Sequence, residues 1–424
     1  MWRDEIYAPG FTKSVAYLHG YVMIHMSHNK VMQRRYLFLG VLILVGSCGP
    51  PQSYTLEITG QGELRPIALV SFEVPRRARG VSWQAYEENG TVLPVQIDDD
   101  GEGSVIVTDL VPGEVRRLEL MQGESAEGVY ASEQAGMVSF STRYRPVVAY
   151  HADKQPMPRD DIDSVYHRSG YVHPVYTPSG RMVTDDYPPN HVHHHGIWSA
   201  WTRTSFMGRN PDFWNMGART GTVLHLAVDS VWEGNVHGGL KASHVQVDLS
   251  GDAPTEVLQE TWHMRVFNVT SLHIFDLSVT QELVADSALH LLEHHYGGVG
   301  LRGARSWNGT ENADFLTSEG LTRADGHATR ARWSHVGGLV DSQKVGIAVL
   351  GHPDNHEAPQ PMRIHPDEPF FNYAPTQAGS FMIRPGEVYQ MQYRYVVYDG
   401  DPDPELLDAL WQDYAYPFVG TLRR

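Results

Sequence analysis

Four histidines fall within five residues, His191-Val192-His193-His194-His195, and the run continues into Gly196-Ile197-Trp198-Ser199-Ala200-Trp201. Imidazole titrates near neutral pH and is the commonest metal ligand. This spacing therefore points to proton transfer, to polarisation of a carbonyl, or to metal binding. In an extended run, His191, His193 and His195 share one face and His194 takes the other.

Other segments carry compatible chemistry. Leu292-Glu293-His294-His295-Tyr296 supplies a carboxylate beside imidazoles, the pairing in which an acid orients a histidine base. His352-Pro353-Asp354-Asn355 and Arg363-Ile364-His365-Pro366 place His, Asn and Arg on loops stiffened by proline. Thr261-Trp262-His263-Met264-Arg265 reads as strand, with His263 and Arg265 on the face opposite Glu260, Trp262 and Met264. Trp198, Trp201, Phe213 and Trp214 lie near the histidine run. Aromatic faces beside polar groups suit sugar rings.

Several chemistries lack their residues. The chain has neither a phosphate-cradling glycine loop nor a Gly-x-Ser-x-Gly elbow, and His-Glu-x-x-His is absent. A single cysteine, Cys48, rules out an intrachain disulfide and cysteine-based zinc or iron–sulfur sites.

The elements that must position these residues read as all-β. Between 54 and 123, short apolar runs alternate with Gly, Pro and Asp turns, which predicts a small N-terminal β-sandwich module. Pro94 marks its run as an edge strand or a bulge. Gln122–Ala135 is the expected boundary. Residues 137–424 then hold longer strands, among them Thr255–Phe267, Leu272–Val284 and Tyr389–Tyr398, as in a large two-sheet antiparallel β-sandwich. A short C-terminal helix is expected after Asp403, with Pro404 at its first position and an apolar stripe of Leu406, Leu407, Leu410, Trp411 and Tyr414.

The chain has 424 residues, 41% hydrophobic and 20% charged, with a net charge of -17. That balance describes a soluble globular domain and argues against nucleic acid as a partner. Arg34-Arg35, the apolar run Tyr36–Val45 and Val45-Gly46-Ser47-Cys48 match a lipoprotein signal segment over 1–48 followed by a linker over 49–53. Acylated Cys48 would hold the protein to a bacterial membrane, with the outer membrane expected and the folded part periplasmic or at the cell surface.

Several blocks together resemble a bacterial family known as the PmoA, or methane oxygenase PmoA, family. They include Arg145-Pro146, His173-Pro174-Val175-Tyr176-Thr177-Pro178-Ser179-Gly180, Asp186–Trp201, Gly298–Arg302, Ala331-Arg332-Trp333 and Pro369-Phe370-Phe371-Asn372. The likeness spans roughly residues 54–400. The family pattern around the histidines reads Asp-His-Pro-His-His-Arg-Gly, so His191, His193 and His194 match while Asn190, Val192 and His195 depart. The resemblance implies a galactose mutarotase-like supersandwich in a secreted or lipid-anchored protein of carbohydrate-degrading bacteria. The methane-oxygenase label does not suit this chain, because no segment after Cys48 is long and apolar enough to span a bilayer.

The functional expectation is a lipid-anchored protein acting on a sugar or oligosaccharide by histidine acid–base chemistry, as a lyase, epimerase or glycoside hydrolase. His191, His193, His194, Glu293 and His294 are the catalytic candidates. Trp198, Trp201, Arg302, His352, Asn355, Arg363 and His365 are the substrate-binding candidates. No cofactor is required on this reading. One alternative is a non-catalytic glycan-binding lipoprotein. A second is a metal-dependent oxygenase or hydrolase with a divalent metal on the histidine cluster.

Overall fold

Two eight-stranded sheets face one another through most of the chain. The computed structural model describes residues 53–143 and 145–424. The expected signal segment, Cys48 and most of the expected linker lie outside the described residues.

The larger sheet is antiparallel in the order Gly221–Trp232, His237–Asp248, Thr255–Phe267, His273–Leu283, Val388–Asp399, Gln343–Gly351, Trp333–Val340, Ala313–Thr317. Its central strand Thr255–Phe267 alternates as its sequence predicts. Glu260, Trp262 and Met264 are buried, while Thr261, His263 and Arg265 are partly exposed. The facing sheet runs Met362–Ile364, Phe370–Tyr373, Gly298–Arg302, Ile197–Ala200, Tyr171–Val175, Pro146–His151, Met137–Thr142, Val129–Gln134. Trp198, Trp201, Trp262, Leu277, Leu301, Ile347 and Tyr393 belong to one continuous buried cluster. A buried polar tie also joins the sheets. The Glu260 carboxylate accepts hydrogen bonds from Ser199 Oγ at 3.0 Å, Gln246 Nε2, Trp262 Nε1 and Gln281 Nε2.

The N-terminal strands form a third eight-stranded sheet around Leu56, Val70, Phe72, Trp83, Val105 and Leu118. Its two outermost members are Phe418–Val419 and Thr421–Arg423, so the chain's end completes the sheet its beginning starts. Pro94 sits where its strand changes partners. Val92–Pro94 pair with Gln84–Tyr86, and Val95–Ile97 pair with Gly103–Val105. A residue without an N–H fits such a switch, because one ladder bond is already missing there.

The helix Pro404–Ala415 begins where its sequence predicts, with the Asp403 carboxylate accepting from the N–H groups of Glu405 and Leu406 at 3.1 Å. Leu407, Leu410 and Trp411 pack in a buried cluster with Phe267, Ile274, Leu350 and Val396 of the large sheet. Arg394 anchors the helix further, pairing with Asp276 at 2.7 Å and with the helix residue Asp413 at 3.0 Å. No helix among the described residues is long and apolar enough to cross a membrane.

Candidate active site

The strand Ile197–Ala200 decides which side of its sheet carries the site. Ser199 reaches Glu260 on the facing sheet, so by strand alternation Trp198 points to the opposite side. Register then carries that side across four strands. Trp198 stands opposite Gly300, Gly300 opposite Asn372, and Asn372 opposite Arg363. Arg302 stands opposite Phe370 in the next row.

An aromatic floor covers this row. The Trp198 ring lies 4.8 Å from Trp214 and 5.9 Å from Phe370. Gly300 makes the floor possible, because a Cβ there would stand 2.7 Å from the Trp214 ring. Trp198 itself is fully buried under this layer, and Trp201 is buried with its indole N–H donating to Gln281 at 2.7 Å. Both are packing residues here. The tryptophan that meets the cavity is Trp214.

The histidine run is not a strand. The His191 carbonyl accepts from the His194 N–H at 2.9 Å, and the Pro188 carbonyl accepts from the His191 N–H at 3.1 Å. These are successive tight turns, as the preceding Asp-Asp-Tyr-Pro-Pro-Asn composition favours. The expectation of a shared His191, His193 and His195 face is therefore corrected. In a turn the period-two rule fails, and His191, His193 and His194 converge while His195 turns away. Gly196 completes the reversal with φ of 35°, where a Cβ would collide with the Val172 carbonyl oxygen.

His195 is fully buried, and its Nδ1 lies 2.8 Å from Asp186, which also accepts from the Tyr171 hydroxyl at 2.9 Å. It props the turn from behind.

The resulting cavity encloses about 220 Å³. His191, His193 and His194 form one wall, Trp214 and Phe370 the floor, and Asn215, His295, Tyr296, Arg363 and His365 the remainder. His194 is stacked between His191 at 4.8 Å and Phe370 at 4.9 Å. The His191 and His365 rings meet edge to face at 5.7 Å.

Arg302 lies behind His194 and is fully buried. It pairs with Glu368 at 2.7 Å, donates to Asn308 and Asn190, and brings Nη1 to 3.5 Å from His194 Nδ1. Glu368 in turn accepts from Asn190 beside the histidine turn. The His365 ring is held by its own loop, with Nδ1 accepting from the N–H groups of Asp367 at 3.2 Å and Glu368 at 3.1 Å. Asp212 fixes the floor by accepting from the Trp214 and Asn215 N–H groups, and Asn215 Nδ2 reaches the Tyr296 hydroxyl at 3.0 Å.

The imidazoles are held neutral at pH 7. Burial, with repulsion from His191, His195 and Arg302, brings His193 down to about 4. Burial, Arg363 and His191 do the same to His365, also to about 4. His194 is pushed well below the ordinary range by burial, His193 and Arg302. His191 is lowered by burial and Arg302, against the pull of Glu368. His193 has no hydrogen-bond partner among the described residues, so both of its nitrogens are unassigned. Among those residues no group of three or more His, Cys, Asp or Glu side chains takes up metal-holding geometry.

Of the sequence candidates, His191, His193, His194, Arg363 and His365 come together around the cavity, with Arg302 directly behind. Glu293 is exposed, and no hydrogen bond or ion pair joins its carboxylate to His294 among the described residues. His294 packs against His295 and Tyr296, and it is those two neighbours that line the cavity. His352 and Asn355 line a separate, largely apolar cavity with Trp411 and Pro359. Asn355 serves there as a backbone pin, bonding both the N–H and the carbonyl of Gln392 at 2.8 Å. Sequence reasoning did not single out Asn215, Phe370 or Glu368. Only the short Asp212-to-Asn215 spacing, typical of an Asx turn, marked that loop locally.

A two-sheet antiparallel β-sandwich with an imidazole-lined cavity on the outer side of one sheet is the class defined by this fold and site. The chain belongs to DUF6807, a family of unknown function whose pattern matches residues 137–412, over half of the chain. Nothing in that match links it to methane oxygenases, and no curated protein matches the chain.

Proposed function

We propose that this protein is a carbohydrate-active enzyme using histidine acid–base chemistry, of lyase or epimerase type. The single observation that carries the reading is the unpartnered His193 imidazole beside His191 and His194 in a cavity floored by Trp214 and Phe370. The cavity is smaller than the roughly 300–1,000 Å³ usual for drug-sized ligands, which suits one sugar ring stacked on the floor.

His193 is the base. It takes the proton from a ring carbon next to a carbonyl or carboxyl group, and the electron pair moves onto that group's oxygen. Neutral N–H donors aimed at this oxygen stabilise the charge as it develops. Delivery of a proton to the opposite face by a second acid, with His193 passing its own proton to solvent, gives an epimer, and expulsion of a leaving group from the next carbon, protonated as it departs, gives an unsaturated sugar. Hydrolysis by paired carboxylates fits less well, because that reaction uses two Asp or Glu residues flanking the bond and none among the described residues lines the cavity.

The lipoprotein-like segment ending at Cys48 supports placement at a bacterial membrane surface, with the sandwich facing the glycan. Cys48→Ser is expected to release the protein into the soluble fraction and to remove labelling by a palmitate analogue.

The catalytic reading is tested by incubating wild type, His193→Ala and His194→Ala with a panel of oligosaccharides and analysing the products. Wild-type turnover falling by about 10²–10⁴-fold in His193→Ala is the expected result for a lost general base. Turnover unchanged in both variants ends the assignment. Wild-type binding without turnover leaves a glycan-binding protein instead.

A further inference from the structure

Among the described residues, Arg363 is the only cation in the cavity wall, and no carboxylate stands there to answer it. It is half-buried, and no Asp or Glu oxygen lies within ion-pairing reach among the described residues. Its one polar side-chain contact among the described residues is a 3.5 Å approach of Nη1 to His327 Nε2, which leaves the rest of the fork open. This stands in a chain whose net charge is -17. An acidic protein that clears every carboxylate from one cavity, and leaves an arginine in it, has built a seat for an anion.

Two further groups point the same way. An arginine only donates hydrogen bonds, so the approach of Arg302 makes His194 Nδ1 an acceptor and leaves the ring proton on Nε2. The backbone N–H groups of Asp367 and Glu368 do the same to His365 Nδ1. Neither Nε2 is buried without a partner, so in both rings this nitrogen is the one left for the cavity. The wall therefore offers one open guanidinium and two fixed N–H donors.

We propose that the ligand of this cavity is an acidic sugar whose carboxylate is seated on Arg363, with N–H donors from His194 and His365. The proposal rests on the sugar reading above and adds the charge. A carboxylate matches the guanidinium fork with two oxygens. A single bound negative charge also answers the chemistry of the site. An opposite charge nearby favours the protonated form of an imidazole, so the substrate itself draws the neighbouring histidines up from their depressed range.

The test is calorimetric titration of the purified full chain with D-glucuronate, D-glucose and acetate at matched ionic strength. Wild type is compared with Arg363→Gln and Arg363→Lys, each first checked for wild-type melting. Glucuronate is expected to bind roughly tenfold or more tightly than glucose, the size of one charge-assisted contact. Arg363→Gln should erase that gap, and Arg363→Lys should keep part of it. Equal binding of glucuronate and glucose overturns the charge assignment and leaves the sugar reading standing. Arg363-dependent binding of acetate with no sugar bound supports the carboxylate seat and removes the sugar reading. Absence of binding by all three, or binding indifferent to Arg363→Gln, overturns the proposal.

Discussion

Arg302 Nη1 lies 3.5 Å from Nδ1 of His194, and the two side chains are among the most deeply buried polar groups of the molecule. A permanent cation at that position cannot accept, so it dictates the imidazole's tautomer and opposes its protonation. His194 is thereby an N–H donor, and under the proposed function the basic role passes to His193. Nitrogen-15 spectra of the histidine rings are expected to show His194 as the neutral Nε2–H form at pH 7 and to keep it so well into the acid range. A protonated His194 at pH 6 would contradict this.

Glu368 is the counter-charge that lets Arg302 stay buried. Breaking a buried pair from one side leaves an uncompensated charge and costs about 3–5 kcal/mol. Glu368→Ala is expected to lower unfolding free energy by an amount of that order, and to disturb the histidine turn through Asn190. Denaturant titration measures the first and the His194 ring signal the second. A loss below about 1 kcal/mol, the value of an exposed pair, would show Arg302 is reached by water.

Stability should decline on mild acidification. His173, His193, His237 and His365 are each held near 4, chiefly by burial, against an ordinary value of 6.5. Between those values the unfolded chain binds protons that the folded chain refuses. Stability is therefore fully present above about pH 6.5 and is lost progressively toward pH 4. The melting temperature is expected to fall between pH 7 and pH 5, and His193→Gln should make that fall shallower. A melting temperature that is flat or rising over this interval contradicts the burial of neutral imidazoles.

The second cavity supplies a control. His352→Ala should leave turnover and sugar binding unchanged, because His352 shares no wall with the histidine turn. Asn355→Ala should cost about 1–3 kcal/mol, since two backbone groups of Gln392 lose their partner. Reduced turnover in His352→Ala, at normal stability, would place that residue at the site.

Much of this protein is readable along the chain. Thr255–Phe267 announces its buried face because strand alternation is a local property, and Glu260, Trp262 and Met264 obey it. The helix start at Asp403-Pro404 is equally local. The concentration of imidazole between 191 and 195 drew attention to the turn that lines the cavity, and Arg363 and His365 of the same lining stood out by residue type. What the sequence alone did not decide was direction and company. Whether His195 or His194 faces the cavity depends on a turn geometry closed by Gly196 against Val172, a contact between residues 24 apart. That Trp214, rather than Trp198, meets the cavity follows from which side of Ile197–Ala200 the other sheet covers. That Arg363 joins Trp198 on one side is a consequence of register across Gly300 and Asn372. Residue type and local period belong to the chain. The pairing of distant strands is settled only when the sheets form, because it is the burial of both sheets' inner faces that selects one register.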